Sequence, residues 1–395
     1  MTSTVYIAKN VYGGDGLGRL GDGRVVFVPG AWAGEQVKAE ITEEKRHFVK
    51  ARLVEVVEAS PDRLGTEAPP IPGMVYSALA YPAELKTKAA QLTEFLERAR
   101  LSAPAVEILK VPQEPRNYRN KVVYHFAKQD GRWALGYRLE PSHRILEVAD
   151  DPLARPEINA ALPEIRSAVM RLLTQGAAAV RRSIEEKGNV TIRWSERSGV
   201  KWWLGSAPKD TVLKETTCGR VFEVPADGFY QVNPVAGGVL AETVADEYRR
   251  GRAEAGEFLD LYCGVGVFGL VAKPEKLLGV ESGRQAIEFA RRNAERQGVK
   301  AEFLAAQVAQ VKKRLRPGPR TTVVVDPPRG GLEPGVAPWL ARSEAARIFY
   351  VSCDPATLTR DLKTLASAYD VKAVRMIDMF PRTARFETFV VLAKR

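Results

Sequence analysis

The sequence is poor in cysteine and histidine and has no long apolar run. Its 395 residues include three cysteines and three histidines, which are too few and too scattered for a disulfide framework or a zinc site. We therefore expect no bound metal and a reducing, cytoplasmic environment. No run of about 18 consecutive apolar residues is present, so no transmembrane helix is expected. The first ten residues lack the charged start and apolar core of a secretory signal.

Acidic residues are outnumbered by basic ones, and the formal net charge is +11. Residues 1–58 contain as many acidic as basic side chains, so the surplus lies further along the chain. It is densest at Lys312, Lys313, Arg314 and Arg316. A positive surface suits a polyanion such as nucleic acid, although a basic protein without that partner would show the same excess.

Hydrophobic patterning divides the chain into three parts. Residues 1–58 alternate short Val-rich segments with glycine turns, which predicts a small β-barrel. Residues 59–225 mix amphipathic helices with paired strands, which is typical of an α+β domain. Residues 226–395 alternate strands with helices, which predicts a doubly wound, Rossmann-like α/β domain that binds its ligands at the carboxyl ends of the strands.

A strand, a glycine turn and a helix start are expected over residues 257–272. Gly264, Gly266 and Gly269 fit the pattern G-x-G-x-x-G, a weak signal that an ordinary strand–turn–helix corner also produces. Asp260 closes the strand just before the glycines, where it would repel a pyrophosphate. Glu281 ends the next strand, where a carboxylate can hold both ribose hydroxyls of an adenosine. These two acidic residues favour S-adenosylmethionine over a dinucleotide.

Five stretches of the C-terminal part resemble the RNA uracil-C5 methyltransferase family. They are Gly-Phe-Tyr-Gln-Val-Asn-Pro at 228–234, residues 260–266 with Glu281, Asp-Pro-Pro-Arg-Gly-Gly at 326–331, Val-Ser-Cys-Asp-Pro-Ala-Thr at 351–357, and Phe-Glu-Thr at 386–388. They occur in the family's order and are specific only together. The N-terminal part is similar to the family's TRAM barrel, an RNA-binding module related to the OB-fold.

The resemblance implies a role for particular residues. Cys353 matches the family's nucleophile, and Glu387 matches its proton acceptor. The residues implied to contact the cofactor are Gln231, Tyr262, Gly264, Gly266, Glu281, Gln307 and Asp326. Sequence alone leaves open whether Asp326 and Gln231 hydrogen-bond the uracil or the methionine end of S-adenosylmethionine.

Three residues are candidates for RNA binding. Phe229 is expected to stack on a base that has been flipped out of the RNA. Arg119 and Lys121 precede and begin a strand and are expected to contact phosphates. For Phe229 the alternative is core packing, and for the two cations it is a solvated strand start.

The sequence departs from the family at the expected iron–sulfur ligands. Many members carry a cluster on four cysteines, but residues 71–74 are Ile-Pro-Gly-Met and Asp151 stands where the last cysteine is expected. The resemblance therefore implies a variant with no iron–sulfur cluster and no metal.

The implied function is an RNA methyltransferase that forms 5-methyluridine by covalent cysteine addition to C6 of uracil. The favoured substrate is 23S ribosomal RNA, with transfer RNA as the alternative, and the chain is expected to act as a monomer without a membrane partner. A cytosine-C5 methyltransferase usually places its nucleophile after a proline, whereas Pro355 follows Cys353 here. A nicotinamide-dependent oxidoreductase and a non-catalytic RNA-binding protein are further alternatives, and the presence of both Cys353 and Glu387 argues against the latter.

Overall fold

The computed structural model describes residues 2–65, 70–251 and 256–395. The chain forms two compact units. One consists of Met1–Glu97 with Phe380–Phe386, and the other of Arg98–Met379 with Glu387–Arg395. This division does not follow the three parts drawn from the sequence, whose boundaries at 58 and 225 stay a prediction.

The first unit begins with a closed five-stranded barrel, which confirms the expected small β-barrel. Its strands, in the order β1-β2-β3-β5-β4, are β1 (Thr2–Asn10), β2 (Gly16–Arg19), β3 (Val25–Val28), β4 (Gln36–Glu44) and β5 (Phe48–Glu58). Alternate valines and isoleucines of these strands point inward and are almost completely buried, because successive side chains of a strand face opposite sides. Helix α1 (Tyr81–Arg98) follows the barrel along the chain.

The second unit contains a five-stranded sheet backed by two helices. Strand β6 (Val106–Leu109) comes first but joins a larger sheet described below. The five-stranded sheet has the order β11-β10-β7-β8-β9. Its strands are β7 (Lys121–Gln129), β8 (Arg132–Arg138), β9 (Ile145–Glu147), β10 (Asn189–Ser195) and β11 (Gly199–Leu204), and the helices are α2 (Pro156–Gln175) and α3 (Ala178–Lys187). Helix α2 packs on the sheet through apolar residues at helical spacing, from Ile158 to Leu173.

A hairpin and a helix connect this sheet to the larger one. Strands β12 (Val212–Thr217) and β13 (Arg220–Pro225) pair antiparallel. The loop after β13 leads into helix α4 (Pro234–Arg250). Asn233 caps that helix by accepting a hydrogen bond from the Ala236 amide, 3.2 Å away, which satisfies one of the donors that a helix start leaves open.

The larger sheet has eight strands in the order β16-β15-β14-β17-β18-β20-β19-β6. Strands and helices alternate along the chain as β14 (Glu257–Leu261), α5 (Val267–Ala272), β15 (Lys276–Glu281), α6 (Arg284–Arg296), β16 (Ala301–Ala305), α7 (Val308–Val311), β17 (Thr321–Val325), α8 (Val336–Ala341), β18 (Arg347–Ser352), α9 (Pro355–Leu365) and β19 (Tyr369–Ile377), and β20 (Glu387–Lys394) follows β19 directly. All five residues of the central strand β17 are buried, as expected for a parallel strand that is covered on both faces. The expected Rossmann-like α/β domain is confirmed.

Strands β14 to β18 are parallel, so their carboxyl ends lie at one edge of the sheet. We call this the carboxyl edge. Strand β20 runs antiparallel to β18, with Thr388 opposite Ser352. The first residue of β20, Glu387, therefore lies at the carboxyl edge as well. Within the described residues, no helix is both long and apolar enough to cross a bilayer.

Candidate active site

The turn after β14 holds three residues in the left-handed backbone region. Tyr262, Gly264 and Gly266 have φ angles of 64°, 53° and 86°. A Cβ placed on Gly264 would meet no atom within 4 Å, whereas one on Gly266 would lie 3.3 to 3.4 Å from Leu270 and Phe303. There is therefore open space beside Gly264, whereas Gly266 is tightly packed. Ligands of α/β sheets bind at glycine turns of this kind.

Two carboxylates flank this turn. The Asp260 side chain accepts a hydrogen bond from the Gly269 amide at 3.1 Å, and its other oxygen is buried without a hydrogen-bond partner in the described part of the chain. Burial, followed by the charges of Asp326 and Glu281, raises the pKa of Asp260 to about 7. Glu281 accepts hydrogen bonds from the Gly283 amide at 2.7 Å and from the Gly264 amide at 3.4 Å. Two carboxyl groups, those of Asp260 and Glu281, thus hydrogen-bond backbone amides in and next to the turn.

A cleft at the carboxyl edge brings several expected site residues together. Its lining includes Phe229, Gln231, Tyr262, Gly264 and Asp326. Asp326 directly follows β17, which pairs with β14 on one side and β18 on the other. Burial raises the pKa of Asp326 to about 7. A carboxylate therefore stands between the glycine turn and the end of β18.

The loop between β13 and α4 is held in place by hydrogen bonds to buried side chains. Phe229 is 74% exposed, whereas the next residue, Tyr230, is buried and hydrogen-bonds the Thr217 hydroxyl. The buried Arg193 donates hydrogen bonds to two backbone oxygens of this loop, at Ala226 (3.1 Å) and Gly228 (3.2 Å). The exposed ring of Phe229 therefore projects from a loop whose backbone is fixed by hydrogen bonds.

Cys353 and Glu387 lie on neighbouring strands at the carboxyl edge. Cys353 directly follows β18 and is half-buried, and Glu387 begins β20 with 5% of its surface exposed. Ser352 and Thr388 are the last paired residues of β18 and β20 at this end. Cys353 and Glu387 each lie one residue beyond that pair, on strands about 4.8 Å apart. The fold therefore brings together two residues that are far apart in sequence.

The charges around this pair act on both groups. Burial, then Glu387 and Asp326, raises the pKa of the Cys353 thiol to about 11. Burial and Asp326 raise the pKa of Glu387 well above its usual range, while Arg329 opposes the shift. One oxygen of Glu387 is buried without a hydrogen-bond partner among the described residues, so this carboxyl has a free acceptor position.

Arg329 was given no role by the sequence. It lies three residues after Asp326 in the stretch 326–331, and its positive charge opposes the rise in the pKa of both Cys353 and Glu387. A single arginine in a loop belongs to no periodic pattern. In the sequence, only its position after an expected central strand could have marked it as a site residue.

Seven expected residues are not among the described lining of the cleft. Gly266, Glu281, Cys353 and Glu387 lie at the turn and the carboxyl edge described above, and the other three are Gln307, Arg119 and Lys121. Gln307 precedes α7 and is exposed. Arg119 and Lys121 are at the start of β7, where the Arg119 guanidinium donates to the Lys121 carbonyl at 3.1 Å. Burial, followed by the charge of Arg193, lowers the pKa of Lys121. Asn120, between Arg119 and Lys121, donates its amide to the Val232 carbonyl at 2.8 Å, so the start of β7 lies beside the loop that carries Phe229 and Gln231.

Over residues 2–65, 70–251 and 256–395, no group of three or more His, Cys, Asp or Glu side chains is arranged to hold a metal ion. Asp151, in the position of an expected cluster cysteine, accepts hydrogen bonds from the hydroxyls of Tyr124 (3.2 Å) and Tyr137 (2.6 Å). Its other oxygen accepts from the amides of Leu153 and Ala154. This carboxylate is a structural hydrogen-bond centre.

Comparison with known proteins agrees with this geometry. Residues 220–395 match the family model of tRNA (Uracil-5-)-methyltransferase, and residues 2–54 match that of the TRAM domain. Similar proteins include uncharacterised RNA methyltransferases of Gloeobacter violaceus, 29% identical with 100% of this chain and 96% of that protein covered, and of Thermotoga maritima, 28% identical with 100% and 99% covered.

A solved structure shows the same fold. The crystal structure of Pyrococcus abyssi tRNA (uracil-54, C5)-methyltransferase in complex with S-adenosyl-L-homocysteine matches 98% of this chain and 100% of its own, with a TM-score of 0.75 and 23% identity. The match shows that the fold is shared. The two family models and the similar RNA methyltransferases indicate an S-adenosylmethionine-dependent RNA (uracil-5-)-methyltransferase with an N-terminal TRAM domain.

Proposed function

We propose that this enzyme makes 5-methyluridine through a transient bond between the sulfur of Cys353 and C6 of a uracil in RNA. The observation that carries the proposal is the order of residues along the carboxyl edge. The glycine turn after β14, Asp326 after β17, Cys353 after β18 and Glu387 at the start of β20 follow one another on adjacent strands. A nucleophile and a base therefore stand beside a corner suited to the methyl donor.

The residues of this corner fit S-adenosylmethionine. Gly264 leaves open space next to its backbone. Glu281 ends β15 with two carboxylate oxygens, which suits the two ribose hydroxyls. Asp260 has a buried oxygen with no partner in the described residues, and carboxylates attract a cationic sulfonium. When bound there, S-adenosylmethionine supplies an electrophilic methyl group.

Further residues complete the proposed cofactor site. Tyr262 and Gly266 shape the turn, and Gln307 follows β16, the neighbour of β15. Gln231 and Asp326 both line the cleft, and either can hydrogen-bond the uracil or the methionine end of the cofactor.

Carbon 5 of uracil is a poor nucleophile until the ring is activated. The Cys353 thiolate forms a bond to C6, and the electron pair of the C5–C6 double bond moves onto C5 and O4 as an enolate. Carbon 5 is then electron-rich enough to accept the methyl group. A cysteine suits this role because sulfur is a soft nucleophile that can also leave again.

The adduct must then lose a proton. After methylation, C5 carries both the methyl group and its original hydrogen. Glu387 takes that proton, the C–H electron pair restores the C5–C6 double bond, and the S–C6 bond breaks so that sulfur leaves with its electron pair. The raised pKa of Glu387 makes its carboxylate a stronger base than an exposed one.

RNA contacts belong to the same proposal. A base in a stack or duplex must be flipped out to reach Cys353, and the exposed ring of Phe229 beside the cleft can stack on it. Arg119 and Lys121 are proposed phosphate contacts on the basis of their charge alone.

The mechanism is tested by Cys353→Ala and Glu387→Gln, assayed with labelled S-adenosylmethionine and RNA. Cys353→Ala should form no methyluridine while still binding S-adenosylmethionine in calorimetry. Glu387→Gln should accumulate a protein–RNA complex that survives denaturant, because the adduct cannot lose its proton. Cys218→Ala, which changes another half-buried cysteine, is the control and should be fully active. Normal turnover by Cys353→Ala would remove the covalent mechanism, and normal turnover by Glu387→Gln would assign the base elsewhere.

We propose 23S ribosomal RNA as the substrate, by analogy with family members that carry a TRAM barrel. Transfer RNA is the second candidate, because the matching Pyrococcus abyssi structure is that of a tRNA enzyme. Mass spectrometry of both RNAs from cells lacking the protein separates the two. Loss of a methyluridine from ribosomal RNA supports the first, and loss from transfer RNA alone overturns it.

A further inference from the structure

The barrel unit has a cavity of its own. It has a volume of about 500 Å³, within the range of pockets that bind small organic ligands. Its described lining residues lie between Gly14 and Ala78, in the barrel and the segment that follows it. None of its described lining residues also lines the cleft that contains Asp326, and the proposed mechanism makes no use of it.

Aromatic side chains form part of its wall. Phe27 is half-exposed and meets the ring of Phe48 edge-on, with 5.7 Å between ring centroids. Trp32 is 2% exposed, and its indole N–H has no acceptor in the part of the chain that the structure describes. A buried donor without an acceptor is unfavourable, so a ligand that brings a carbonyl or ring nitrogen to this wall would be favoured.

Charged side chains surround the opening. Lys50 and Arg52 line the cavity with more than half of each side chain exposed, and they pair with Glu43 and Glu40. Exposed ion pairs contribute little stability, so both cations can turn to a phosphate. Arg63, by contrast, is buried against Glu35 at 2.6 Å and belongs to the framework.

One acidic group also lines the cavity. Asp15 is half-buried, and burial raises the pKa of its carboxyl while Lys50 opposes the shift. The wall therefore offers an aromatic face, an unsatisfied donor and an acceptor, with two cations at the rim. This set matches a nucleobase and its phosphates and has more polar groups than an apolar ligand needs.

We propose that the barrel cavity binds one unpaired nucleotide of the substrate RNA, distinct from the uracil that is methylated. Its base stacks on Phe27 next to Trp32, and its phosphates lie on Lys50 and Arg52. The inference rests on the proposed function only in that the substrate is RNA. The enzyme would then read a splayed-out nucleotide in addition to its target.

The test measures binding of fluorescein-labelled deca-adenylate and deca-uridylate to the full-length protein by anisotropy. Phe27→Ala should weaken binding about fivefold or more, since stacking of a base on an aromatic ring is lost. Tyr6→Ala removes another exposed aromatic of the barrel, 58% exposed and outside the described cavity lining, and should leave affinity unchanged. Equal effects of the two substitutions, or none, would overturn the proposal.

The cation has a closely matched control. Lys50 and Lys45 both pair with Glu43, at 2.9 and 2.8 Å, and their side chains are 56% and 55% exposed, but only Lys50 is among the described cavity residues. Lys50→Ala should weaken oligonucleotide binding and Lys45→Ala should not. If inorganic polyphosphate displaces the oligonucleotides as well as unlabelled RNA does, the site recognises phosphate alone and the proposal fails.

A cross-link separates this proposal from the enzymatic one. RNA containing 4-thiouridine is irradiated with the Cys353→Ala protein, which cannot form the covalent adduct, and the attached peptide is identified by mass spectrometry. Attachment within the segment that contains Phe27 and Trp32 supports the cavity even if no RNA is methylated. Methylation by the unchanged enzyme with no attachment in this segment overturns the proposed nucleotide site and leaves the mechanism standing.

Phe27→Ala should raise the KM for RNA and leave kcat unchanged.

Discussion

The Cys353 thiol lies in surroundings that oppose its ionisation. Burial and the neighbouring Glu387 and Asp326 raise its pKa to about 11, and Arg329 offsets part of the effect. Most of the thiol therefore holds its proton at neutral pH in the free enzyme. Asp326 is the carboxylate to which that proton can pass when sulfur attacks the ring, because Glu387 must stay deprotonated to take the proton from C5 afterwards.

This environment predicts the order in which the cysteines react. Alkylation of Cys353 by iodoacetamide should accelerate as the pH rises from neutral towards 11, because the thiolate is the reactive form. Cys218, with its pKa raised to about 12, and the buried Cys263 should react more slowly. Peptide mass spectrometry after timed labelling measures all three rates. Faster labelling of Cys263 than of Cys353 would contradict the arrangement of the site.

The buried Asp326 predicts a pH-dependent stability. Its pKa is raised from 3.8 to about 7 in the folded protein, so its contribution to stability is complete below pH 3.8 and is lost as the pH rises through 7. Asp326→Asn removes this loss because the amide does not ionise. The melting temperature of the variant, relative to that of the unchanged protein, should therefore be higher at pH 8 than at pH 5. A difference that does not change with pH would show that Asp326 is charged throughout this range.

For individual residues, the sequence indicated which side chains lie at the carboxyl edge but not how buried they are. Cys353, Glu387 and Asp326 were named through the family resemblance, and the structure places them at one edge of the sheet. Burial of Glu387 was not predictable, because an isolated glutamate is usually exposed. It becomes buried because β20 is inserted between β18 and β19 in the sheet, although it follows β19 in sequence.

Helix α4 carries two adjacent glycines with opposite surroundings. A Cβ on Gly237 would lie 2.9 Å from the Cβ of Gln231, whereas one on Gly238 would meet no atom within 4 Å. Gly237 thus allows the Gln231 side chain to pack against the helix and reach the cleft. Gly238 serves no such purpose and weakens the helix through its backbone freedom.

The two glycines therefore form a matched pair of substitutions. Gly238→Ala should stabilise the protein by about 0.5–1 kcal/mol in urea unfolding, because alanine loses less backbone entropy in a helix. Gly237→Ala should displace Gln231, destabilise by about 1–3 kcal/mol and weaken S-adenosylmethionine binding. Calorimetry and urea titration of both variants measure these effects. Equal stabilisation by the two alanines would show that Gln231 is not held by the helix.

Local patterns identified elements but not their long-range pairing. The bounds of α5 (Val267–Ala272) and β17 (Thr321–Val325) agree with those read from the sequence, because glycines and valine runs mark them. Strand β6 was missed as a member of the large sheet. Its partner is β19, with Val106 opposite Val374, and no property of four residues indicates a partner so distant in sequence.

At the scale of the molecule, positive charge was the first sign of an RNA partner. The net charge of +11 implies that binding releases counterions from the RNA backbone. Every cation that contacts a phosphate, at the barrel cavity or elsewhere, adds to the salt dependence of the RNA association constant. The composition was compatible with this class of partner without establishing it, and it could not predict the two cavities described above, because each needs side chains brought together by folding.

The charge predicts how RNA affinity changes with salt. The logarithm of the association constant should fall linearly with the logarithm of the potassium chloride concentration, with a slope of about 0.7 for each single-strand phosphate contact. Cys353→Ala should have the same slope as the unchanged enzyme, since no charged side chain is lost. Lys50→Ala should have a shallower slope by about 0.7. Anisotropy titrations over a salt series measure this, and salt-independent binding would rule out a phosphate-based interaction.

Residues Phe380–Phe386 belong to the barrel unit although the strands on either side of them in sequence belong to the other unit. The Arg382 amide donates to Glu84 at 2.7 Å, and its guanidinium donates to the Leu79 carbonyl at 2.6 Å. A shortened protein that starts at Arg98 would leave this segment without those partners, immediately before Glu387. Removing residues 1–97 therefore also disturbs the other unit, because the segment that directly precedes the strand with the proposed base loses its hydrogen-bond partners.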